Sequence, residues 1–228
     1  MKLKYACLVM DHDDTVVNST ATVHYPSFVE YAKLYAPRLL KFSLEDYFRY
    51  NSSPGVVPFL RDLCGLSPAQ MDDEERFWAE YVKDHVPSAY PGIREILTEQ
   101  KARGGLVCVV SHSFGENIRR DYRENSLPAP DAVYGWECPP EQRKPSPWPL
   151  REIMRRFQLP PEQLLVVDDL KPGVDMARAA GVPFAAAGWA NDIPEIEAYM
   201  RGNCERYFKT VEELRVFLFG KETACCRS

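Results

Sequence analysis

The chain has 228 residues, of which 45% are hydrophobic and 27% charged, and its net charge is -5. That length suits one α/β domain with a sizeable insertion, or two small domains, and the composition is that of an ordinary globular protein. The acidic balance argues against a general affinity for nucleic acid or acidic membranes, while leaving room for a local basic pocket that takes an anionic substrate.

Residues 4–10, KYACLVM, form an apolar run of strand length that stops at Asp11-His12-Asp13-Asp14. Residues 18–88 follow with aromatic-rich helical patterns and no buried strand. Within them Ser67-Pro68-Ala69-Gln70 reads as a capping box with proline at the first helical position, opening a helix to about His85. Residues 92–103 carry Ile93, Ile96 and Leu97 on one helical face. A second apolar run, 106–110, stops at Ser111, and a third, 164–167, stops at Asp168-Asp169. Between them, 148–157 is helical; 174–180 is a helix that ends at Gly181. Weaker strands are expected at 132–134, 184–187 and 206–208, and further helices at 192–200 and 211–219. Continuous apolar runs of this length suit strands buried on both faces of a parallel sheet. Their alternation with helices predicts a doubly wound α/β core with right-handed crossovers.

The seven cysteines are odd in number and show no C-x-x-C spacing, which fits a reducing cytoplasm. Cys7 and Cys108, inside apolar runs, read as small core residues. The run at 5–10 is too short for a signal peptide, and no stretch approaches the ~20 apolar residues of a membrane helix. The tail Cys225-Cys226-Arg227-Ser228 lacks the aliphatic positions of a lipidation signal and reads as a frayed end. The expectation is a cytoplasmic protein without nucleic-acid or membrane partners. Its oligomeric state is not specified by these features.

In an open parallel sheet the strand C-terminal ends converge on the ligand crevice. That directs Asp11, Asp13, Ser111, Asp168 and Asp169 to one place. Crowded carboxylates repel unless a cation is present, and an all-oxygen ligand set suits a hard ion such as magnesium. Asp11 is a potential nucleophile. Strand alternation returns Asp13, two residues on, to the same side.

Four motifs in order resemble those of the haloacid dehalogenase (HAD) superfamily, in its phosphoglycolate phosphatase and β-phosphoglucomutase-like branch. They are Asp11-His12-Asp13-Asp14-Thr15; Ser111 after an apolar strand; Lys144-Pro145-Ser146-Pro147; and Asp168-Asp169 leading to Ala180-Gly181. The resemblance implies a Rossmann-like core from residues 1–17 and 89–228, with a helical cap at 18–88 hinged near 16–20 and 88–92. It implies a magnesium-dependent phosphatase acting on a small phosphorylated substrate through a phosphoaspartate at Asp11. Asp13 then serves as acid and base. Ser111, Lys144 and His112 face the phosphoryl group. Asp11, Asp168, Asp169 and the Asp13 carbonyl hold magnesium. Caps of this kind select substrate, which directs attention to Ser52, Ser53 and Arg61.

Four positions depart from the pattern. Asp14 stands where glycine is usual, His12 where a bulky apolar residue is usual, His112 after Ser111 where Asn is common, and Gly173 where many relatives have a second acid. A mutase, a phosphonatase needing a cap lysine, and a non-catalytic binding module remain alternatives. Dehalogenation is disfavoured because Asp13 is filled, and no G-x-G-x-x-G supports a nicotinamide-binding fold.

Overall fold

The three long apolar runs lie side by side in the sheet. In the computed structural model, which describes residues 3–220, they are β1 (Cys7–Met10), β2 (Leu106–Val110) and β4 (Leu164–Asp168). With β3 (Ala132–Tyr134), β5 (Phe184–Ala187) and β6 (Tyr207–Phe208) they form a parallel sheet in the order β3-β2-β1-β4-β5-β6. The order reverses at β1, the topological switch point at which such sheets bind ligands. The residues after β1 therefore occupy the crevice.

Strand alternation sends residues to two cores. Leu8, Met10, Val107, Val109, Leu165 and Val167 pack on one face against α5 (Ile93–Ala102), α6 (Gly115–Glu124) and α10 (Val211–Phe219). Cys7, Val9, Cys108, Val110, Leu164 and Val166 pack on the other against α7 (Trp148–Phe157) and α8 (Lys171–Ala180). Cys7 and Cys108 are fully buried free thiols 3.7 Å apart, which makes them core residues. The tail at 225–228 lies outside the described residues.

Between β1 and α5 the chain is helical, with α1 (Tyr25–Tyr35), α2 (Leu44–Ser52), a single turn α3 (Val56–Pro58) and α4 (Pro68–Asp84). These helices form a cap with an aromatic core of its own around Phe28, Tyr31, Tyr47 and Phe59. Ser67 and Gln70 form the capping box that opens α4. The chain leaves and re-enters the core along two paired strands of backbone: Asn18 N–H donates to Ser88 O at 2.9 Å and Tyr90 N–H to Val16 O at 3.0 Å. Two further ties seat the cap. Phe48 of α2 packs into a core cluster with Val174, Ile193 and Met200, and Arg49 reaches Glu195 of α9 (Pro194–Asn203).

Several boundaries differ from expectation. Helix α8 begins at Lys171 rather than at 174, with Pro172 in its first turn, where a missing N–H costs nothing. Helix α9 starts at Pro194 rather than 192 for the same reason, and runs on to Asn203. Strand β6 is one residue shorter than expected. Among the described residues no helix is long and apolar enough to cross a membrane.

Candidate active site

Register assembles the site. Met10 of β1 pairs with Val109 on one side and Val167 on the other, so the next residues of all three strands emerge at one level. Asp11 N–H still donates to Val167 O at 2.8 Å, which continues the ladder and fixes the Asp11 side chain in the crevice. Asp11, Asp168 and Asp169 are buried, and one carboxylate oxygen from each lies within 4.8 Å of the others.

The Lys144 ammonium bridges two of them, at 2.9 Å from Asp11 Oδ1 and 2.8 Å from Asp168 Oδ2. Lys144 is itself buried, and the two carboxylates outweigh the cost of burial and raise its pKa. Asp168 Oδ1 accepts from Leu170 N–H at 2.9 Å. Asp169 Oδ1 is buried without a hydrogen-bond partner. Burial, with Asp11, Asp14 and Asp168 nearby, pushes the Asp169 pKa well up. Burial and Asp168 raise that of Asp11 to about 7, against the pull of Lys144. The cluster thus has more negative charge than Lys144 offsets, and a buried oxygen without a donor. An all-carboxylate set with that imbalance fits a hard divalent cation.

Gly173 explains its own departure from the family pattern. A Cβ there would overlap the Asp168 carboxyl, so the close approach of α8 to Asp168 requires glycine.

Asp13 stands on the other side of Asp11 and accepts three hydrogen bonds. Ser111 Oγ donates to Asp13 Oδ2 at 3.1 Å, Ser113 Oγ to the same oxygen at 2.7 Å, and His24 Nε2 to Oδ1 at 3.0 Å. Burial works to raise the Asp13 pKa, but His24, His12 and Ser113 outweigh it and hold the carboxyl well below the usual range. The His24 ring is fixed from behind, because Trp78 Nε1–H donates to Nδ1 at 3.0 Å. An indole only donates, so Nδ1 carries the lone pair and Nε2 the proton. Burial resists charge on His24, whereas Asp13 and Asp14 draw a second proton to it and raise its pKa. The Trp78 bond decides for the neutral ring while the cap is seated.

Asp14 organises this arrangement. It adopts φ +56°, which Asp tolerates better than most side chains, and its Oδ1 accepts Thr20 N–H at 3.1 Å. That bond starts the wide helical turn Thr20–His24 that carries His24 to Asp13. Burial raises the Asp14 pKa to about 6. His12, between the two catalytic candidates, turns away from the crevice: its Nε2–H donates to Asp121 Oδ2 at 3.0 Å. Arg120 holds Asp121 at 2.9 Å and also donates to the carbonyls of Val82 and His85, at 2.7 and 3.2 Å.

His112 is exposed, and its Nε2 bonds the Lys144 carbonyl at 3.0 Å, so it supports the loop that delivers the lysine. In the cap, Ser52 ends α2, Ser53 is exposed, and Arg61 is exposed with its guanidinium forked onto Asp62 at 2.7 and 2.8 Å. None of these three joins the carboxylate cluster. Sequence reasoning missed His24, Trp78 and Ser113. The S-x-S spacing of Ser111 and Ser113 was the available signal for one of them.

Residues 8–187 match the family described as haloacid dehalogenase-like hydrolase. The chain belongs to that family. It is 34% identical over 94 residues to a phosphoglycolate phosphatase of Nitrosospira multiformis, and 35% identical over 112 residues to one of Rhodospirillum rubrum. The matched stretches are 41% and 47% of this chain, and span less than half of those relatives' length, 41% and 46%. Among solved structures, CbbY from Rhodobacter sphaeroides in complex with xylulose-1,5-bisphosphate superposes with a TM-score of 0.70 at 21% identity, over 92% of this chain and 96% of that one. That likeness is one of fold: a HAD α/β core with a helical cap.

Proposed function

We propose that this HAD-family chain is a magnesium-dependent phosphatase that hydrolyses a small phosphorylated metabolite through a phosphoaspartate at Asp11. The observation that carries the reading is the Lys144 bridge between Asp11 and Asp168, beside the unpartnered Asp169 oxygen. It presents one nucleophilic carboxylate, one ammonium and a cation-hungry oxygen within a single buried crevice. The names of the curated relatives support the same activity.

In the first half-reaction an Asp11 oxygen attacks phosphorus as the bond to the leaving oxygen breaks; Asp13, ionised in the free site, takes up the proton that the substrate monoanion brings and passes it to that oxygen. In the second, Asp13 takes a proton from the water that attacks the acyl phosphate, and phosphate leaves with Asp11 restored. Attack needs ionised Asp11, and the ammonium of Lys144 opposes the burial and repulsion that raise its pKa. Lys144 is a donor for the phosphoryl oxygens, with His112 steadying it, and Ser111 becomes one by turning its hydroxyl from Asp13 to the substrate. Asp11, Asp168, Asp169 and the Asp13 carbonyl would hold magnesium, which supplies positive charge against the developing phosphoryl charge.

Residues 18–88 act as the cap that excludes water, with the paired backbone around Val17 and Ala89 as its hinge. The test is phosphate release from a panel of phosphomonoesters with magnesium, with excess chelator, and with Asp11→Asn. Magnesium should also raise the melting temperature of wild type but not of Asp169→Asn. Full activity in chelator would refute the metal requirement.

A further inference from the structure

A helix ends with backbone carbonyls that have no partner within it. At the end of α4 the Tyr81 carbonyl accepts from His85 Nδ1 at 2.7 Å. The next ones are met from outside the cap. Arg120, on the core helix α6, donates from its guanidinium to Val82 O at 2.7 Å, to Lys83 O, and to His85 O at 3.2 Å. The same group pairs with Asp121 Oδ1 at 2.7 Å. The other oxygen of Asp121, which is buried, accepts from His12, the residue between Asp11 and Asp13.

Trp78 stands four residues before Val82, on the same face of α4. A grip on the Val82 carbonyl therefore fixes the level at which Trp78 meets the core. There its ring stacks at 5.7 Å on Phe114, the residue before α6, and its indole N–H reaches His24, which bonds Asp13. Asp13, His24, Trp78, Val82, Arg120 and Asp121 line one cavity of about 20 Å³, room for about one water. These groups thus share one small space between cap and core. A shift of α4 by about an ångström would break the Trp78–His24 bond. The other side-chain ties that seat the cap, Phe48 and the Arg49–Glu195 pair, belong to α2 and not to α4.

We propose that Arg120 is a positioning residue for the acid–base group: by pinning the end of α4 to α6 it seats Trp78 on His24, and through His24 it orients Asp13. The proposal rests on the phosphatase reading for the role of Asp13. Arg120 itself stays away from the substrate and acts through Trp78. A planar guanidinium fork serves an acid and several carbonyls at once, with charge-assisted bonds, whereas a lysine ammonium in its place serves fewer of them.

The first test reads the indole N–H signals of the folded protein by nitrogen-15 NMR, without substrate. The Trp78 signal is the one lost in Trp78→Phe, and Trp189, whose indole donates to Thr15 O at 3.1 Å, is the internal control. In Arg120→Ala the Trp78 proton should exchange with solvent at least about tenfold faster, while that of Trp189 changes less than about twofold. The second test compares kcat/KM, which reports the first half-reaction, for the fastest alkyl phosphate of the panel and for p-nitrophenyl phosphate, whose leaving group needs no acid. Arg120→Ala should lower the alkyl value at least about tenfold more than the aryl value. Adding Trp78→Phe should change that ratio by less than about twofold further, because both substitutions break one linkage. Indole protons that speed up together, equal losses for both esters, or losses that add in the double variant would each overturn the proposal. If Arg120→Ala does not fold, Arg120→Lys should show the same pattern at smaller size, and wild-type exchange and ratio in that variant would overturn it. Turnover of p-nitrophenyl phosphate by wild type reports separately on the phosphatase reading, and the indole measurement needs no turnover at all.

Discussion

Trp78 donates its indole N–H to His24 Nδ1 at 3.0 Å, and through it a helix of the cap reaches the carboxylate of Asp13. The contact ties the protonation state of the His24–Asp13 pair, the proposed acid–base group, to the seating of the cap. With Trp78 in place, His24 is the neutral Nε2–H tautomer and lends Asp13 a hydrogen bond without a full charge.

Trp78→Phe keeps the aromatic bulk and removes the donor. His24 is then free to take the second proton that Asp13 and Asp14 favour. An imidazolium beside Asp13 stabilises the carboxylate and withholds the proton that the leaving oxygen needs. Alkyl phosphate turnover should fall about tenfold, about 1.4 kcal/mol, on the acid side and recover as pH rises through the His24 pKa. Aryl phosphates, which leave without help, should be affected less. A pH profile identical to that of wild type would contradict the coupling.

Gly173→Ala places a methyl where the Asp168 carboxyl lies. Asp168 must move, and with it the Lys144 bridge to Asp11. Turnover of an aryl phosphate should fall at least about tenfold while circular dichroism stays native. Unchanged turnover would show that the Asp168 position does not matter.

Arg120→Ala strips a buried carboxylate, Asp121, of its charged partner and leaves the last carbonyls of α4 without their donor. The expected cost is about 2 kcal/mol, read as a lower midpoint in urea unfolding. A change below about 0.5 kcal/mol would mean that solvent replaces the guanidinium at no loss.

Glu74 carries a stability signature of its own. Burial, with Glu75 adding repulsion, raises its pKa from 4.5 to about 7. Between those pH values the folded chain keeps a proton that the unfolded chain has released, so stability falls as pH rises, by at most about 1.4 kcal/mol per pH unit. Glu74→Gln removes that term. Its melting temperature relative to wild type should climb from pH 5 to pH 7.5; a constant difference would place Glu74 in water.

The frame of the candidate site was legible because it lies on strands. A buried strand in this fold is a continuous apolar run, and its end is marked by the first polar residue, so Asp11, Ser111 and Asp168 could be aligned before their register was known. Lys144 needed the family resemblance, since nothing local distinguishes a lysine before proline. Helix α6 was not seen, because GENIRRDYRE buries little apart from Ile118 and Tyr122, and much of its inward face is polar. For the same reason nothing in the sequence singled out Asp121 and Arg120. His24 and Trp78 are 54 residues apart, and their contact depends on how α4 packs on the turn after β1, which periodicity does not encode. Arg61 drew attention by following the loop after α2, yet it faces solvent with Asp62 as its neighbour.

The most direct test of the central claim is to trap the phosphoryl group on the protein. Wild type mixed with a fast aryl phosphate and magnesium, quenched in acid and digested, should carry a phosphoryl mass on the peptide that contains Asp11. Asp11→Asn should show no such mass and less than about a tenth of the turnover. Turnover with no label on that peptide, or an Asp11→Asn protein that retains its rate, would contradict the account.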